Sequence, residues 1–392
     1  MDLLPQELLD EIIGHIPLHD KQSLRNCSLV AKSWMYPSRR SLFEAVIVVP
    51  QAKFWSWIKC ISPNNAELLQ NVRTLHCLIE ISPCVRTGHI FFLRNYFPSL
   101  PLLRHLFLFS GNLQSVTQIG VPLAFQHTLK YLSLRGCRTT IATLVTLINY
   151  FPNLDHLELH NLFQESGRQP TPPLSRALQK LSVSEPDTRD DLGILDQLLG
   201  LQPQFDEVVI EINSFFAPLL PQRVIDGVGA SVKRLEIDTC FECMCKVLKF
   251  LHGCHKYTDS VTDLESPLTL SNCRELRELE VCLFFPEDPD PDLVSSITST
   301  KIQKIKFTQS AAFYDCPVGD TYWKRLDNSL CRLADRLGCE HRLLVEFHVI
   351  EVEDGELDMA KYLPTFSKKG WVRVWDEQTE TDIYRSDGER RT

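Results

Sequence analysis

No uninterrupted apolar stretch in this 392-residue chain approaches the roughly 18 residues that suggest a membrane-spanning helix. The nearest candidate, Leu102–Phe109, is broken by Arg104 and His105. The first residues, MDLLPQELLDE, also lack the basic region and apolar core of a secretion signal. Positive charge is in short supply: 41 Lys and Arg stand against 50 Asp and Glu, for a formal net charge of −9. That balance argues against nonspecific binding to nucleic acid or to an anionic membrane surface, because both favour a positive field. There is no glycine-rich phosphate loop, no dinucleotide fingerprint and no Gly-x-Ser-x-Gly elbow. Carboxylate pairs such as Asp190-Asp191 are explained by helix starts, where acids meet the free N–H groups. The expectation is a non-enzymatic protein without a cofactor, soluble and located in the cytoplasm, the nucleus or both.

Hydrophobic residues make up 44% of the chain, enough for a substantial core, and the length allows more than one domain. The fourteen cysteines are dispersed, and several occupy apolar positions, such as Cys77, Cys137, Cys282 and Cys331. In an intracellular chain these are expected to be buried thiols acting as small hydrophobes, not a disulfide framework.

Residues 4–34 carry the most information. Leu8, Leu9, Ile12, Ile13 and Ile16 recur at helical spacing, and Pro5 suits a first helical turn, whose N–H has no partner anyway. A second apolar series follows at Leu24, Cys27, Val30 and Trp34. Between them, Pro17 stops the first helix and Asp20 can accept the N–H groups that open the second. Two amphipathic helices within about 35 residues cannot bury both faces alone, so apolar surface must dock on something else. By spacing alone, a helical hairpin capping the next domain is the favoured reading. The ordered run Leu4-Pro5-x-Glu7-Leu8, then Ile12, then Cys27-Ser28-Leu29-Val30 and Ser33-Trp34 resembles the F-box. That small helical motif binds the Skp-type adaptor of cullin ubiquitin ligases. The resemblance implies that Leu4, Pro5, Leu8, Ile12, Leu29, Val30 and Trp34 pack partly within the motif and partly against the adaptor.

Beyond residue 70 the pattern apolar-x-x-apolar-x-apolar repeats. It begins at Val72, Leu103, Leu129, Leu154, Leu178, Phe205, Val232, Leu276 and Ile302. From Leu103 to Val232 the steps are 24 to 27 residues. A step of 44 then precedes Leu276, and 26 more lead to Ile302. Each unit predicts a short strand with two inward apolar residues and an outward polar residue between them. One unit cannot bury its apolar face, so stacked units share a core. Helical stretches are expected at Thr140–Phe151, Asp190–Leu201, Phe241–Leu251 and Asp292–Thr298. Period and motif resemble a degenerate leucine-rich repeat, and with the amino-terminal motif they resemble the large fungal family of F-box proteins.

Chemistry-bearing clusters are few. Cys240, Cys243 and Cys245, followed by His252, Cys254 and His255, have the residue types for zinc. They lack a second Cys-x-x-Cys pair, and Cys243 to Leu251 reads as a helix, so no metal is expected. The pairs Arg104/His105, Lys130/Tyr131, Asp155/His156 and Lys233/Arg234 recur at one place in the repeat. Alternation also puts His156 and His160 opposite Leu157 and Leu159. A candidate partner surface therefore contains Arg104, His105, Lys130, Tyr131, His156 and Lys233.

The expected architecture is α/β. Residues 1–45 form a helical F-box, and 46–318 form a solenoid of short parallel strands and helices. Residues 319–352 form a capping helix (Asp320–Leu337) and strand (Leu343–Val352). Residues 353–392 form a charged, partly mobile segment. The resemblance implies a substrate-recognition subunit of a Skp-cullin-F-box ubiquitin ligase, with the adaptor, and through it a cullin, as partners alongside a protein substrate. The rival reading is a repeat scaffold for protein interactions with no ligase role.

Overall fold

The first apolar run becomes helix α1 (Gln6–Gly14), with Pro5 as its N-cap. Helix α2 (Lys21–Val30) is opened by the Asp20 side chain, which accepts from the Ser23 N–H at 3.0 Å. Helix α2 does not continue to Trp34: Ala31 is extended (φ −156°, ψ 160°), and a third helix, α3 (Lys32–Glu44), begins at Lys32. In this computed structural model the described residues are 5–17, 20–48, 70–78, 100–110, 113, 125–165, 170–175, 177–184, 193–212, 219–239, 268–283, 290–309, 320–338, 342–349, 359–369, 371–376 and 381–385. They form an α/β protein dividing into two compact units, Met1–Arg176 and Ala177–Thr392.

In the first unit the strands β1 (Ala45–Val48), β2 (Thr74–Leu78), β3 (His105–Phe109), β4 (Tyr131–Arg135) and β6 (His156–His160) pair in parallel, in that order. The register lines up Leu75, Leu106, Leu132 and Leu157, and all four are buried. Two-residue strands β5 (Arg138–Thr139) and β7 (Phe163–Gln164) pair beyond the turns that follow β4 and β6. These turns, and the one that follows β3, need a left-handed residue. Ser110, Gly136 and Asn161, each immediately after its strand, have φ of 53°, 61° and 48°. Glycine adopts this conformation without the clash a Cβ makes. Helix α4 (Ile141–Tyr150) then starts at Thr140, whose hydroxyl accepts from the Thr143 N–H. It buries Leu144, Val145, Leu147 and Ile148.

The second unit repeats the scheme. Strands β8 (Lys180–Ser184), β9 (Glu207–Ile212), β10 (Arg234–Thr239), β11 (Glu278–Leu283) and β12 (Lys304–Gln309) are parallel neighbours. Helices α5 (Gly193–Gly200), α6 (Leu219–Val228), α7 (Asp290–Ser296) and α8 (Asp320–Leu337) alternate with them. Helix α6 was not expected from the sequence; it passes α5 so closely that a Cβ on Gly227 would lie 2.8 Å from Leu199 Cβ. Strand β13 (Leu344–Val349) pairs in parallel with β12, but it does not end the ladder. Strand β14 (Trp371–Asp376) adds in parallel, and β15 (Thr381–Arg385) pairs antiparallel with β14. The apolar alternation of Val372 and Val374, in the one stretch (Trp371–Trp375) that departs from the charged character of residues 353–392, places both in the core.

All nine sequence motifs thus supply strands. Of the stretches expected to be helical, 241–251 lies outside the described residues, as do residues 386–392 of the segment expected to be partly mobile. Cys77, Cys137 and Cys331 are buried free thiols; the Cys137 thiol donates to the Leu108 carbonyl at 3.4 Å. Burial raises the Cys331 thiol to about 11, so it stays protonated. No helix among the described residues is long and apolar enough to cross a membrane.

Past α8 the chain forms α9 (Met359–Tyr362) and a 3-10 turn (Phe366–Lys368). Buried Asp327 on α8 accepts the N–H groups of Thr365 (3.2 Å) and Phe366 (2.8 Å). Asp327→Ala is expected to cost about 2–4 kcal/mol, since one buried and one partly buried donor lose a charged acceptor. Urea denaturation reads this directly, and a variant within about 0.5 kcal/mol of wild type would show that the pair contributes nothing.

Candidate interaction surfaces

Two surfaces stand out, one on the amino-terminal helices and one on the strands. On α1, Leu9 and Ile13 face inward and are buried, while Leu8 and Ile12, one turn apart on the adjoining face, remain 44% and 43% exposed. At the end of α2, Leu29 is 84% and Val30 62% exposed, whereas Leu24 is fully buried. Tyr36 on α3 adds a further exposed ring at 64%. The Gln6 side chain donates to the Ser33 carbonyl at 3.3 Å, which brings the start of α1 to the α2–α3 junction. Pro5 is exposed and Trp34, now on α3, is half-buried; Leu4 lies outside the described residues. Single exposed leucines are ordinary, but here several large apolar side chains are exposed on α1, α2 and α3 together.

The second surface is the face of β2, β3, β4 and β6 opposite their leucines. Register places Thr74, His105, Tyr131 and His156 in one row. The Tyr131 ring sits edge-on to both His105 (5.8 Å) and His156 (4.5 Å). The Thr74 hydroxyl meets His105 Nδ1 at 3.2 Å. The next row is His76, Phe107, Ser133 and Glu158. His76 stacks on Phe107 at 4.1 Å, and Phe107 tilts against Tyr131 at 5.0 Å. In the third row Arg135 lies over Phe109 at 5.8 Å and bonds Glu158 through Nε at 3.1 Å. His160 also contacts that carboxylate.

Thus the sequence-predicted His105, Tyr131 and His156 come together, with Arg104 and Lys130 exposed at the leading edge of the strands. Lys130 pairs with Asp155 at 3.5 Å. His76, Phe107, Arg135 and Glu158 were missed, although each stands two residues from a residue that alternation had placed on the outer face. The expectation that the middle polar residue always faces water fails for Ser133, Glu158 and Ser182, all buried. For Ser133 and Glu158, Arg135 satisfies both by hydrogen bonds. His76 and His105 are held below the ordinary imidazole range, first by burial and then by Arg135 and Arg104 respectively, so both are neutral at pH 7.

Lys233 belongs to the second unit, where it pairs with Asp206 at 2.8 Å ahead of β10. The outer strand face there is an ion-pair lattice. Its first row alternates Lys180, Glu207, Arg234, Glu278 and Lys304. Cross-strand pairs include Lys180–Glu207 and Lys306–Glu280 at 2.7 Å and Arg234–Glu280 at 3.3 Å. These cations are already committed to neighbouring carboxylates.

Among the described residues no group of three or more His, Cys, Asp or Glu side chains could hold a metal ion. The Cys240–His255 cluster lies outside them. Neither a protein-family model nor a curated protein matches this chain.

Proposed function

We propose that this chain is the substrate-recognition subunit of a Skp-cullin-F-box ubiquitin ligase, with residues 4–34 as the adaptor-binding F-box and the strand faces as the substrate surface. The observation carrying this reading is the exposed apolar set Leu8, Ile12, Leu29 and Val30 on helices that bury Leu9, Ile13 and Leu24. Fully burying an exposed side chain of this kind is worth about 1.5–3 kcal/mol, less for the half-covered Leu8 and Ile12, and this set answers the resemblance of its sequence to an adaptor-binding motif. The chain itself would transfer nothing. It would hold a protein substrate near a ubiquitin-loaded enzyme, raising the effective concentration of the reacting groups.

Co-expression with a Skp-type adaptor, followed by size-exclusion chromatography, tests the proposal. One-to-one co-elution is expected. A monodisperse protein that ignores the adaptor would leave a repeat scaffold whose first helices only cap it.

A further inference from the structure

We propose that the open strand face of the amino-terminal unit binds an acidic protein segment that carries an aromatic side chain. Calling that segment a substrate rests on the ligase reading; the binding itself does not.

The rings define the first half of this chemistry. His76, Phe107, Tyr131 and His156 form a continuous run across β2, β3, β4 and β6, every neighbouring pair of rings within 4.1–5.0 Å. Mutual contact holds the rings in place before any partner arrives, so binding immobilises little. Rigid aromatic surface of this kind anchors protein interfaces and favours a ring in the partner through offset or edge-on packing. Burial lowers the pKa of His76 in this run and of His105 beside it, favouring their neutral forms.

The charges define the second half. Arg73, Arg104, Lys130 and Arg135 belong to these strands or the residue leading into them; against them stand Asp155, Glu158 and Glu44, which pairs with Arg73 at 3.5 Å, so one positive charge is in excess. The excess opposes the net −9 of the whole chain. The acids are also unavailable to a cationic partner: Glu158 is buried and held by Arg135 and His160, and Asp155 faces Lys130. Arg104 and Lys130 are exposed at the rim, where they can meet carboxylates flanking a docked ring. Such complementarity sets selectivity as well as encounter rate.

The test uses the full chain and a fluorescein-labelled peptide of alternating glutamate and phenylalanine. Lysine–phenylalanine and glutamate–serine peptides serve as comparisons. The first peptide is expected to bind at least about tenfold more tightly than either other, and to weaken severalfold as salt screens the rim charges. The double variant Arg104→Glu/Lys130→Glu, altered only at exposed positions, should lose this preference with an unchanged melting temperature. Phe107→Ser should lose binding of both phenylalanine peptides. Equal binding of the lysine peptide, no binding of the glutamate–phenylalanine peptide, or undiminished binding by the rim variant would each overturn the inference. Adaptor co-elution on the same preparations separates the two ideas. Adaptor binding without peptide binding sinks only this inference, and peptide binding without adaptor binding sinks only the ligase reading.

Discussion

Ile12→Asp is expected to abolish co-elution with the Skp-type adaptor while leaving the fold intact. Ile12 is 43% exposed while its neighbour Ile13 is buried, so the free protein tolerates a carboxylate there. In an interface that carboxylate would be stripped of water without a partner. The cost is about 3 kcal/mol or more, a loss in affinity beyond about a hundredfold. Ile13→Asp, one residue along, should instead unfold the helical array, because Ile13 is only 1% exposed. Chromatography with and without the adaptor, together with thermal melts of both variants, separates the outcomes. An Ile12→Asp protein that still co-elutes would remove the central support for the ligase reading.

Acidification should destabilise the second unit through Glu346. This carboxylate is buried on β13. It accepts from His348 at 3.3 Å, pairs with Lys304 at 2.7 Å and lies 3.4 Å from Arg373. The His348 hydrogen bond, then Lys304, outweigh the opposing effect of burial and lower its pKa to about 2. Because the folded pKa lies below the unfolded one, the stabilisation is present above about pH 4.5 and is lost as pH falls toward 2. Its size is on the order of 2–3 kcal/mol. Glu346→Gln should therefore be less stable at pH 7 and should lose much less stability between pH 6 and pH 3. Urea unfolding across that range provides the comparison; parallel stability curves for the two proteins would exclude Glu346 as the titrating group.

The strand ladder was legible because its period is a backbone property. An L-x-L alternation buries one face wherever it occurs, and the apolar residues of successive motifs, from Leu75 to Leu157 and from Leu181 to Val372, lie in register within their units. Helix α8 runs over Asp320–Leu337, the span its apolar spacing predicts. Helix α6 was harder to read, with Gly227 near its end and glycine unfavourable in a helix by propensity. The close approach to Leu199 depends on that glycine, but only the packed neighbour reveals it. The break between α2 and α3 was equally hidden, since Ala31 carries no turn chemistry of its own.

By itself, then, the sequence determined the α/β class, the placement of nine strands, the Asp20 cap and the apolar residues that form the core. These follow from local spacing and from burial of apolar surface. Tertiary structure alone decided which members of each apolar series stay exposed. Leu8 and Leu9, or Ile12 and Ile13, are interchangeable by hydrophobicity and differ only in what packs against them. It also decided the electrostatics of the strand faces. Glu158 and Glu346 look like solvated residues between apolar neighbours, yet both are buried, because cations from adjacent strands, many residues away in the chain, arrive in register to hold them.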